Sequence, residues 1–137
     1  MNECAVTAKL VKLMCAVPGC HARKRHGSAY LSGDPDIGGS VRGRAFFVEV
    51  KVEGGRLSEL QAAMLDRWAS AGAYTAVAVY DPNTKFLRVV HRPRPDVSPG
   101  WRDLAGPVGG INYGILFQLT LEGVQKWTAM IQGGLRS

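Results

Sequence analysis

Two short segments, thirteen positions apart, hold the residues best suited to catalysis. Asp36 follows a proline in the turn-rich stretch Ser32-Gly33-Asp34-Pro35-Asp36, and Glu49-Val50-Lys51 lies inside an alternating apolar run. Two carboxylates and an amine on neighbouring strands would make a hard-cation site beside a charged donor. Mg²⁺ takes one or two carboxylates together with waters and phosphate oxygens, so Asp36 and Glu49 are candidate metal ligands and the Val50 carbonyl a further one. Side chains alternate along a strand, so Lys51 shares the face of Glu49. There it could orient or help deprotonate an attacking water and offset charge on a phosphate. That set is sufficient for phosphodiester hydrolysis. A plainer reading stays open, in which Asp36 only shapes a Gly-Asp-Pro-Asp turn and Glu49 and Lys51 line a solvated strand face.

The elements that must carry these residues follow from periodicity. Residues 3–14 place Val6, Leu10, Leu13 and Met14 at helical spacing, and Pro18-Gly19 ends that helix. His21 to Tyr30 reads as an exposed basic strand, and Ile37 as the start of a second one that Gly38-Gly39 interrupts. Ala45 to Val52 is the clearest strand, with Phe46, Val48, Val50 and Val52 on one face and Phe47, Glu49 and Lys51 on the other. Ser58 is an N-cap for a helix to about Ala71, with Leu57, Leu60, Met64, Leu65 and Trp68 near one stripe and Gly72 as its stop. Residues 74–80 form a nearly unbroken apolar run, as in a buried strand returning from a helical crossover. Phe86 to His91 and Ile115 to Leu121 read as strands and Val124 to Ile131 as a helix. The prolines between 93 and 107 mark an irregular connection. The expected architecture is an α/β sandwich around a mixed sheet.

At 137 residues, 46% hydrophobic and 20% charged, the chain suits one globular domain. No apolar run approaches the roughly 20 residues that span a bilayer, and the N-terminus lacks the apolar region of a secretion signal, so a cytoplasmic protein without a membrane partner is expected. Three cysteines argue for reduced thiols rather than a disulfide framework. Lys and Arg outnumber Asp and Glu by 17 to 11, a net charge of +6, which favours a polyanionic partner.

Three segments in order, Gly33-Asp34-Pro35-Asp36-Ile37, Phe47-Val48-Glu49-Val50-Lys51 and Leu57-Ser58-Glu59-Leu60-Gln61, closely resemble the PD-(D/E)XK nucleases, and within them the VRR-NUC type. The likeness spans about residues 3 to 80. It covers a G-x-PD segment, an (I/V)-E-(V/L)-K strand, an L-S-x-x-Q helix start and an apolar strand after a helix ending in Ala-Gly. It implies a restriction-endonuclease-like core with a central mixed β-sheet flanked by helices, over about 3–92, with an extension over about 93–137. It also implies Asp36 and Glu49 as ligands of Mg²⁺ or Mn²⁺, Lys51 as the catalytic lysine and Gln61 as an accessory residue. Gln61 has a second role open to it, since with Ser58 at the N-cap it sits at the reciprocal position of a capping box. Glu3 is the candidate for the glutamate that many members carry on the first helix.

Around this core, Arg23, Lys24, Arg25, His26, Arg42 and Arg44 are expected to neutralise DNA phosphates, although a solvated face is the usual fate of such a run. Cys15, Cys20, His21 and His26 fit no common structural zinc spacing. Trp101, Tyr113 and Trp127 suit packing better than base stacking. The expected activity is that of an endonuclease on branched DNA, of the kind carried by phages or mobile elements. A homodimer would cut both strands through a surface that includes Ile111, Tyr113, Ile115, Phe117, Leu119 and Trp127, although a strand and helix closing the monomer's own core would use the same residues. A nicking or restriction-like nuclease on plain duplex would use the same site. The rival from another class is a non-catalytic nucleic-acid- or protein-binding module, against which the intact Asp36, Glu49 and Lys51 speak.

Overall fold

The alternating segment and the unbroken apolar segment become the two central strands of a six-stranded sheet. The computed structural model describes residues 1–25, 33–92, 100–111, 115–120 and 123–132. In chain order come helix α1 (Glu3–Cys15), strands β1 (Cys20–Lys24), β2 (Ile37–Val41), β3 (Arg44–Val52) and β4 (Arg56–Leu57), and helix α2 (Glu59–Ser70). Strands β5 (Tyr74–Tyr80) and β6 (Leu87–Arg92) follow. Then come 3₁₀ turns at Trp101–Leu104 and Val108–Gly110 with strand β7 (Gly106–Pro107) between them, strand β8 (Ile115–Leu119) and helix α3 (Val124–Ile131). The sheet order is β1-β2-β3-β5-β6-β8, and β4 pairs separately with β7. β3 and β5 run parallel with α2 as the crossover, and the other pairings of the large sheet are antiparallel. The chain is thus a mixed α/β protein with a central sheet flanked by helices. No helix among the described residues is long and apolar enough to cross a membrane.

Both faces of the sheet's central strands are covered. Val6, Leu10 and Met14 of α1 pack with Val124, Trp127 and Ile131 of α3 on Phe46, Val48, Val50, Ala76, Ala78 and Val89. On the other face Ala62 and Leu65 of α2 join Leu57, Val77, Val79, Val90, Trp101, Leu104, Val108 and Ile111. This double cover is why β5 is buried at every position. Asp66 of α2 ties the connection down, accepting from the Trp101 and Arg102 N–H groups at 2.8 and 3.0 Å and from Arg92 at 3.1 Å.

Several expectations need correction. Gly38-Gly39 does not interrupt the second strand but lies inside β2. A Cβ on Gly39 would fall 2.3 Å from the His21 carbonyl oxygen and 2.9 Å from the Phe46 ring, so only a residue without a side chain fits that close approach. The first strand is the short Cys20–Lys24, and 26–30 lie outside the described residues. Leu60 is not on the buried stripe of α2 but 50% exposed, while Ala62, Leu65 and Ala69 are buried. Ile111 and Trp127, expected at a dimer surface, are 1% exposed within the chain's own core, and β8 extends the sheet beside β6. Trp101 is likewise fully buried, and Tyr113 lies outside the described residues.

Candidate active site

Asp36 immediately precedes β2, whose first pair is Ile37 with Val48, so the register brings it alongside Glu49 and Val50. The β2–β3 turn that sets this register is a two-residue one, Arg42 and Gly43, both at positive φ (46° and 87°) as a type I′ turn requires. Asp36 Oδ2 accepts the Val50 N–H at 2.8 Å. Glu49 lies on the α2 face, 2% exposed, within hydrogen-bonding reach of the Asp36 side chain. Lys51, 7% exposed, holds its Nζ 3.5 Å from Glu49 Oε2. The structure therefore brings Asp36, Glu49, Val50 and Lys51 together, and the Glu49 face is not solvated.

Burial and, after it, the neighbouring Asp36 push the Glu49 carboxyl up to about 9, and Lys51 only partly opposes them. The site is short of positive charge: two carboxylates face one ammonium in a poorly solvated place. A hard divalent cation would relieve that imbalance, and carboxylate oxygens with a backbone carbonyl are the donors such a cation takes.

Other expected residues fare differently. Gln61 is engaged in the cap: its Oε1 accepts the Ser58 N–H and its own N–H donates to Ser58 Oγ, both at 3.0 Å. Glu3 is exposed at the start of α1, and its carboxylate and the Lys51 stem both border Gly55, 3.6 and 3.9 Å from where a Cβ would sit. Arg23 and His21 are exposed along a groove of about 490 Å³ whose lining includes Arg25, Gly38, Ser40 and Phe47. Lys24 also borders this groove, with its ammonium donating to the Cys4 thiol at 2.9 Å. Arg42 is at the far end of β2 from Asp36, roughly 20 Å away at the rise of a strand. Arg44 is turned to the α3 side, bonding the Ile131 carbonyl at 3.2 Å and lying 5.9 Å from the Tyr74 ring. Neither joins the site, because alternation puts Arg44 with Phe46 and away from Glu49. His26 lies outside the described residues. Among the described residues no three His, Cys, Asp or Glu side chains gather. Cys15 donates to the Ala22 carbonyl at 3.2 Å, and burial pushes the Cys20 thiol up to about 11.

Sequence patterns do not single out Asp34, Trp68 and Phe47, which the fold brings together. Arg25, expected on phosphate, pairs with Asp34 and lies 5.3 Å from the Phe47 ring, which stacks on Trp68 at 3.9 Å. Local spacing carries little signal for this, since Asp34 and Trp68 are 34 positions apart.

No protein-family model and no curated protein matches the chain. Among solved structures, Hjc of Archaeoglobus fulgidus, a Holliday junction resolvase from an archaeal hyperthermophile, is similar at 19% identity over 80% of this chain and 95% of that one, with a TM-score of 0.48. A likeness that slight bears on neither residues nor chemistry.

Proposed function

We propose that the protein is a divalent-metal-dependent endonuclease that hydrolyses phosphodiester bonds of branched DNA on a restriction-endonuclease-like core. The reading rests on one observation: a carboxylate just ahead of β2 and one within β3 meet, with a lysine ammonium 3.5 Å from the latter. Asp36, Glu49 and the Val50 carbonyl would hold Mg²⁺ or Mn²⁺. That carbonyl lies on the same side of β3 as the N–H that Asp36 accepts. When bound, the ion would polarise the phosphodiester and acidify a water.

The chain's own groups do the rest. The Val50 N–H sets the orientation of the Asp36 carboxylate before any substrate arrives. Lys51 bonds the attacking water and offsets charge building on the phosphate, an effect strengthened by its burial. Arg23 and His21 line the groove and neutralise flanking phosphates. Two such sites in a homodimer would make paired incisions in a two-fold symmetric junction. Ile111 and Trp127 are committed to the monomer's core, so the dimer surface excludes them.

Cleavage of linear, nicked, flapped and four-way-branched DNA with Mg²⁺ or Mn²⁺ tests the reading, with Asp36→Asn and Glu49→Gln beside the wild type. Metal-dependent cutting strongest on the four-way substrate and lost in both variants is expected. Undiminished cutting by either variant removes the assignment. Equal cutting of all substrates removes the branched-DNA part, and a strict monomer on sedimentation at micromolar concentration removes the homodimer.

A further inference from the structure

We propose that Asp34 is a positioning residue for Asp36, gripped by Arg25 and Trp68 so that the segment 33–36 ahead of β2 presents the Asp36 carboxylate in ligating orientation. This rests on the metal-site reading above. The Asp34 side chain is 5% exposed although its segment belongs to a turn. Both its oxygens are used within the protein. Oδ2 accepts from Arg25 Nε at 2.9 Å and also from Arg25 Nη2, and Oδ1 accepts from Trp68 Nε1 at 3.2 Å.

Arg25 grips this segment a second time, since its backbone N–H donates to the Asp36 carbonyl at 2.7 Å. Between the two tethered residues lies Pro35, buried, whose ring locks φ near −65°. Few torsions are left by which the Asp36 side chain can swing, and the Val50 N–H catches its far end. The grip reaches the other carboxylate as well. Trp68 stacks on Phe47 with the ring planes 18° apart, and Phe47 is two residues before Glu49 on the same face of β3. Arg25 lies 5.3 and 5.7 Å from the two rings. One cluster thus links the end of β1, the loop bearing Asp36, the strand bearing Glu49 and helix α2.

A cluster that only pinned α2 to the sheet would hold the fold and leave cation affinity alone. Mn²⁺ affinity, read from the electron paramagnetic resonance of the free ion, separates the two roles when measured beside thermal unfolding without metal. Asp34→Ala is expected to weaken Mn²⁺ binding on the order of ten- to a hundredfold, the usual effect of removing a group that orients a ligand. Trp68→Phe keeps the stack and loses one donor, and should weaken it about threefold. Cleavage by Asp34→Ala at saturating Mn²⁺ should return to within about threefold of wild type, because every group that touches the reacting atoms is still present.

Wild-type Mn²⁺ affinity in folded Asp34→Ala, with only the melting temperature lowered, overturns the positioning role. If that variant does not fold, unchanged affinity in Trp68→Phe overturns it. Asp36→Asn is the control: if it binds Mn²⁺ as the wild type does, the metal site itself is wrong and the role of Asp34 falls with it.

Discussion

Replacing Glu49 with glutamine should reshape the pH dependence of stability of the metal-free protein. The Glu49 carboxyl is raised from 4.5 to about 9 by burial and by Asp36. Between those values the folded chain holds a proton that the unfolded chain has lost. Stability therefore falls as pH rises, by at most about 1.4 kcal/mol per unit. His91 works the other way. Burial and then the charge of Arg44 lower it from 6.5 to about 4, so in that window only the unfolded chain is protonated and stability rises with pH at the same limiting slope. The two effects cancel from about 4.5 to 6.5, and above 6.5 Glu49 acts alone. The wild type should show a plateau and then lose about 2 kcal/mol between pH 6.5 and 8. Glu49→Gln should rise to pH 6.5 and then stay flat. Urea unfolding in chelator at half-unit pH steps, read by tryptophan fluorescence, measures both curves. Saturating Mg²⁺ should abolish the wild-type fall, since the cation requires the ionised carboxylate, and should leave Glu49→Gln unchanged. Parallel curves above pH 6.5 would refute the electrostatic account of the site.

Lys51→Ala should slow single-turnover cleavage at saturating metal by at least about 10²-fold while a metal titration stays near wild type; weakened metal affinity with normal chemistry would contradict its role. Arg23→Gln should weaken DNA binding and lower the salt slope by about one, measured by fluorescence anisotropy across salt concentrations, whereas Arg44→Gln should do neither. Gln61→Ala should cost about 1 kcal/mol in urea unfolding through loss of the cap, with cleavage at saturating metal within about twofold of wild type. A larger loss of cleavage would give Gln61 a place at the reaction.

Features that depend on residues close together in the chain are legible in the sequence by itself. The Ser58–Gln61 cap needs only a separation of three, and the common face of Glu49 and Lys51 needs only the two-residue period of a strand. The unbroken run of β5 already implies cover on both sides of the sheet. Tertiary structure decides the rest, because periodicity says which face a side chain takes and not which neighbour it meets there. Asp36 reaches Val50 only through the β2–β3 register, and the glycines that look like a break in β2 are what its close packing requires. Trp127 donates to the Tyr74 hydroxyl at 2.8 Å across 53 positions, and that hydroxyl lies 2.7 Å from His91 Nδ1, so this part of the C-terminal segment belongs to the core. An arginine in a basic run reads as a phosphate ligand until its partner is placed. Arg25 meets Asp34 and Arg44 meets the end of α3, while Arg23 and His21 stay exposed along the groove.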